Sequence, residues 1–143
     1  MSLWSWIKRQ CSPGRDTPIH LKRGMDGEIA AKEYLKSKGL QFLVSNFRWK
    51  KAEIDLIFRD KDCLVFVEVK TRSLENWTRP AAAVNATKKR LLTHAALKYL
   101  RLINNPPIIL RFDIVEVIHE KGNIKNINHL PNAFSLTAPF RYG

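Results

Sequence analysis

The chain has 143 residues with 25 Lys+Arg against 13 Asp+Glu, a formal charge of +12. That length suits one domain, and 45% hydrophobic with 27% charged residues is globular rather than disordered or fibrous. Two cysteines, Cys11 and Cys63, make neither a disulfide framework nor a metal-ligand set, and no apolar run reaches the roughly 20 residues of a membrane span.

Residues 1–20, with Lys8, Arg9 and Arg15 interrupted by Pro13, Gly14 and Pro18, read as a flexible basic arm. A single domain is expected over 21–135 and a tail over 136–143. From Gly24 to Lys38 Met25, Ile29, Ala30, Tyr34 and Leu35 recur at helical spacing, and Gly39 ends the run. Three β-rich segments follow at 40–49, 52–58 and 63–71, joined so tightly that antiparallel pairing is expected. Leu64-Val65-Phe66-Val67 is apolar on both alternate faces, as in a strand covered on both sides.

Pro80 marks a helix start, and Ala81 to Leu102 carries an amphipathic stripe of Val84, Leu91, Leu92, Ala95, Ala96, Tyr99 and Ile103. His94 falls on its polar side, as a solvated residue. Further strands are expected at 108–118 and, more weakly, 124–130. The order αβββαββ describes a three-layer α/β domain, helices packing on a mixed sheet.

Within these apolar elements the misplaced residues are carboxylates. The two-residue strand period puts Glu68 and Lys70 on one face, and Glu53 and Asp55 on one face of the preceding strand. Glu28 precedes Ala31 and Leu35 by three and seven, a phase that turns it towards the sheet. Such a set suits a hard cation: Asp55 and Glu68, with the carbonyl near Val69, would bind Mg²⁺ or its substitute Mn²⁺. Lys70 would position or deprotonate the attacking water, and Glu28 would assist. The alternative is an ordinary cross-strand ion pair in which Glu68 and Lys70 meet Asp55 or Arg48.

The positive charge favours a polyanion, DNA with RNA left open. Between Asn76 and Phe112 the chain has no acidic residue. Arg48, Arg72, Lys88, Lys89 and Arg90 are the candidate phosphate contacts, with Trp77 as a stacking aromatic.

Gly24-Met25-Asp26-Gly27-Glu28, Asn46-Phe47-Arg48, Glu53-Ile54-Asp55-Leu56-Ile57, Phe66-Val67-Glu68-Val69-Lys70-Thr71-Arg72, Arg111-Phe112-Asp113 and Asn132-Ala133-Phe134 together resemble the bacterial YraN-like family. The resemblance implies the restriction-endonuclease-like superfamily, with its αβββαβ core and Asp…Glu-x-Lys signature. It implies Asp55, Glu68 and Lys70 as the catalytic set, Glu28 as supporting acid, Mg²⁺ as cofactor and DNA cleavage as the activity. Two departures stand out: Ala52 where relatives often have Gly, and Trp77-Thr78-Arg79-Pro80 where they show an aromatic-Gly-x-Pro stretch. A reduced cytoplasm is the natural setting, no membrane role is expected, and a homodimer would place two sites on two strands. The competing reading is a non-catalytic nucleic-acid-binding module that keeps the nuclease fold.

Overall fold

The computed structural model of the chain describes residues 22–76 and 84–135. The expected arm and tail, Trp77 and the Pro80 helix start lie outside the described residues.

Helix α1 (Lys22–Ser37) leads into strands β1 (Gln41–Trp49), β2 (Ala52–Asp60) and β3 (Cys63–Ser73). A 3-10 turn, Leu74–Asn76, follows, then helix α2 (Ala86–Leu102) and strands β4 (Ile109–Glu120) and β5 (Asn123–Phe134). All five strands form one sheet in sequence order. β3 and β4, connected through α2, are its parallel pair; the other neighbours are antiparallel hairpins. This is a mixed α/β sheet with a helix on each side, consistent with a restriction-endonuclease-like core.

Gly39, at φ +93°, ends α1 in the left-handed conformation, where the lack of a Cβ removes the steric penalty. It lets Gly39 N–H reach the Lys36 carbonyl at 3.0 Å and Leu40 N–H the Leu35 carbonyl at 3.2 Å, so the helix end is satisfied and Leu40 turns inward. The β4–β5 hairpin turns on Lys121 and Gly122, both at positive φ, a backbone twist that matches the strands.

The core divides as strand alternation requires. Leu64 and Phe66 of β3 pack with Leu92, Ala95, Ala96, Tyr99 and Leu100 of α2, whereas Val65 and Val67 pack with Ala31 and Leu35 of α1. β3 is thereby covered on both faces, as its continuous apolar run predicts.

Three expectations shift. Ile29 is 55% exposed rather than part of the buried stripe, because the line facing the sheet runs through Ala31 and Leu35. Helix α2 begins at Ala86, not Ala81, where the Asn85 side chain accepts the Lys88 N–H at 2.8 Å and satisfies an otherwise orphan donor. His94 is half-buried, with its Nε2 inside the protein, rather than solvated.

Candidate metal and nucleic-acid site

The site grows from a fork in the sheet. The β2–β3 ladder runs from Asp60 opposite Cys63 to Leu56 opposite Val67 and stops there. Beyond it β2 pairs only with β1, and β3 only with β4. At the fork the Val69 N–H donates to Asp55 Oδ2 at 2.8 Å, so a side chain replaces the next ladder bond and fixes the carboxylate in place.

Glu53 stands two residues before Asp55, and Glu28 reaches the same spot from α1. Ligand oxygens of Glu28, Glu53 and Asp55 lie within 4.8 Å of one another. Asn46 closes the group. It sits inside β1 at φ +55°, a conformation Asn tolerates better than most residues. With its amide nitrogen facing the carboxylates it donates to Glu53 Oε1 at 2.9 Å and Glu28 Oε2 at 3.0 Å; the opposite orientation would set its carbonyl against two anions.

α1 can come this close because position 27 is glycine: a Cβ there would collide with the Thr71 hydroxyl on β3. Gly27 thus sets how near Glu28 lies to the sheet.

Burial and crowding make Glu28 and Asp55 weaker acids than usual. Burial, and next the Glu68 charge, push Asp55 up to about 8, against the opposing Val69 hydrogen bond. Burial followed by Glu53 and Glu68 raises Glu28 to about 7, with Asn46 and Arg48 opposing. Lys70 is lowered, first by burial and then by Arg72 and Lys88, with Glu68 opposing. Carboxylates that resist ionisation together, beside a lysine that sheds its proton more readily than usual, make this cluster the candidate site. The donors are all oxygen, and Glu68 Oε2 is buried without a hydrogen-bond partner, so the residues fit a hard divalent cation such as Mg²⁺ or Mn²⁺.

Of the expected set the fork brings Glu28 and Asp55 together, while Glu68 and Lys70 lie on β3 with the Val69 backbone between them, the Glu68 charge acting on Glu28, Asp55 and Lys70. Glu53 and Asn46, absent from the expected set, belong to the cluster. Glu53 was legible as the residue sharing a face with Asp55; Asn46 was not, because its reach depends on the local left-handed backbone. Glu68 is tied to α2 by Lys88 Nζ, 3.1 Å from its Oε1.

The cations are spread wider. Arg48 is ion-paired with Glu53 at 3.2 Å, and Arg72 Nε lies 4.0 Å from Glu116 Oε2. Lys88, Lys89 and Arg90 are consecutive on a helix and therefore diverge: Lys88 meets Glu68, Lys89 lies over the Phe134 ring at 5.7 Å, and Arg90 is exposed. Arg111, inside the acid-free stretch between Asn76 and Phe112, braces the fold between Asp60 and Asp113.

The family model described as "Uncharacterised protein family UPF0102" matches residues 27–117. The chain belongs to the UPF0102 family. This is the YraN family that its motifs resemble. The UPF0102 protein of Geobacter metallireducens is 38% identical over 79% of this chain and 92% of its own length. That of Caldanaerobacter subterraneus subsp. tengcongensis is 42% identical over 78% and 93%, and that of Symbiobacterium thermophilum 45% identical over 66% and 80%. The UPF0102 match spans every carboxylate of the cluster together with Lys70, Lys88 and Arg90. Among the described residues no helix is long and apolar enough to cross a membrane.

Proposed function

We propose that the protein is a Mg²⁺-dependent, endonuclease-like hydrolase of phosphodiester bonds in DNA, with Mn²⁺ as a substitute cation. The observation that carries this reading is the convergence of Glu28, Glu53 and Asp55 where β2 and β3 part, with Glu68 across the fork on β3, its charge acting on Glu28, Asp55 and Lys70. UPF0102 membership and the restriction-endonuclease-like core support a nuclease-like role; since one core hosts many chemistries, the site residues carry the argument.

Glu28, Glu53 and Asp55, with Glu68 and the Val69 carbonyl, would hold the cation, which when bound supplies positive charge to the phosphate and a more acidic water. Asp55 is held in position by the Val69 N–H, and Asn46 orients Glu53 and Glu28. Lys70 takes or orients the proton of the water whose oxygen joins phosphorus; the bond to the leaving oxygen breaks, and solvent protonates that oxygen. Arg48, Arg72, Lys88, Lys89 and Arg90 contact phosphates and position the backbone without reading sequence.

Purified protein should cut at least one of duplex, nicked, flapped or four-way-junction DNA with Mg²⁺ or Mn²⁺. Asp55→Asn and Lys70→Ala should each lower the rate by about 100-fold or more; undiminished cleavage in either removes its assigned role. One observation favours a second reading, a non-catalytic nucleic-acid binder: Arg48 and Lys88 already neutralise Glu53 and Glu68 within the protein. Salt-sensitive DNA binding with no Mn²⁺ uptake in calorimetry would establish it.

A further inference from the structure

Lys88 occupies the first turn of α2, where its backbone N–H is pinned to the Asn85 cap at 2.8 Å. The side chain is 47% exposed, yet its Nζ sits 3.1 Å from Oε1 of Glu68, a residue only 8% exposed. Glu68 is therefore buried with one oxygen on a half-exposed ammonium and the other without a hydrogen-bond partner. It stands apart from Glu28, Glu53 and Asp55, whose oxygens already lie within mutual ligand distance.

An ammonium and a divalent cation on one carboxylate repel each other, so both can be accommodated only if the lysine leaves. Lys88 can leave at small cost: its stem is flexible and half in water, and a compact ammonium accepts any nearby anion. The anion that a nucleic acid offers is a backbone phosphate. Glu68 has no such alternative, being on a central strand paired along its length with β4.

We infer that Lys88 is a positioning residue that couples cation uptake to nucleic-acid binding. Without nucleic acid it holds Glu68 and competes with the cation; when a phosphate arrives it moves onto the phosphate and gives Glu68 to the cation. Because coupling between two sites is reciprocal, the cation strengthens nucleic-acid binding by the same factor. This deepens the metal-dependent reading and rests on it.

The test measures binding alone, in a Lys70→Ala background that suppresses hydrolysis, by Mn²⁺ calorimetry with and without a short duplex. Lys88→Met should bind Mn²⁺ roughly fivefold more tightly than its parent when DNA is absent, and the gain that DNA confers on the parent should disappear. In EDTA the same substitution should weaken duplex binding. Lys88→Arg, which keeps the charge, should follow the parent; if it behaves like Lys88→Met, charge is not the agent and the inference fails. Measurable Mn²⁺ binding that Lys88→Met leaves unchanged overturns the role of Lys88 alone. Absence of Mn²⁺ uptake in the parent, with and without DNA, overturns the metal site and this inference together.

Discussion

Replacing Asp55 by Asn should stabilise the metal-free protein while suppressing the proposed hydrolysis. In the folded chain Asp55 holds its proton to about 8, against 3.8 ordinarily, because it is buried beside Glu68, Glu28 and Glu53. Between these values the folded state binds more protons than the unfolded one, so stability falls as pH rises through that window. At pH 7 the unfolded group is about three units above its pKa, which at 1.36 kcal/mol per unit bounds the penalty near 4 kcal/mol. The residue is partly exposed, and water reaching the fork screens part of this, leaving about 2 kcal/mol. Asn keeps an oxygen for the Val69 N–H and carries no charge. Urea denaturation in EDTA at pH 5.5, 7 and 8.5 should show the wild type losing stability as pH rises, with a flatter profile in Asp55→Asn and a gain of about 2 kcal/mol at pH 7. Glu28, raised to about 7 by burial and by Glu53 and Glu68, titrates in the same direction, so some slope persists in the variant. Equal stability of the two proteins at pH 8.5 would refute the reasoning.

Gly27→Ala forces α1 away from Thr71 and should cost about 1–3 kcal/mol in chemical denaturation, with Thr71→Ala restoring part of it. Asp113 is fully buried; burial pushes its acidity down, but bonds from His129 at 2.7 Å, Arg111 at 2.8 Å and the Asn132 N–H at 2.9 Å win, holding it ionised below the usual range. Asp113→Ala leaves Arg111 with Asp60 alone and the His129 ring and Asn132 N–H without their acceptor, and should cost about 3 kcal/mol at pH 7, whereas in the wild type the same stabilisation disappears as pH falls through the acid range. Lys89→Glu with Arg90→Glu should weaken DNA binding and lower the salt slope by about two in fluorescence titrations, leaving Mn²⁺ affinity of the DNA-free protein unchanged.

What the sequence discloses follows from how local each feature is. Alternation and turn length suffice for the antiparallel hairpins, the doubly covered β3 and the facing of Glu28 towards the sheet. The start of α2 depends on the Asn85 side chain rather than on apolar periodicity, which continues upstream through Val84. Ile29 fits a helical stripe as well as Ala31 does, and only the place where Gly27 lets α1 touch Thr71 decides which is buried. Asp55, Glu68 and Lys70 are legible because strand period and motif coincide. Asn46 and the Lys88–Glu68 contact are not, since one needs a left-handed residue within a strand and the other joins α2 to β3.

The partners of the charges also alter what +12 means for this molecule. Much of the acid is committed internally: Asp60 and Asp113 brace Arg111, Glu53 takes Arg48, and Glu33 takes Lys36. These four carboxylates occupy only three cations, so the surplus remains positive, and on α2 it includes exposed Arg90 and Arg101. The cluster at the fork differs from those pairs, because Glu28 and Asp55 are charged at neutral pH only at a cost in stability. An acidic fork would by itself repel phosphate, while protonated it would neither repel phosphate nor hold a cation. Under the proposed function a divalent cation would resolve that conflict, making the carboxylates ionise where the surrounding basic surface would deliver the polyanion. Under that proposal the stability lost to the fork and the basic character of the surface are two parts of one electrostatic arrangement.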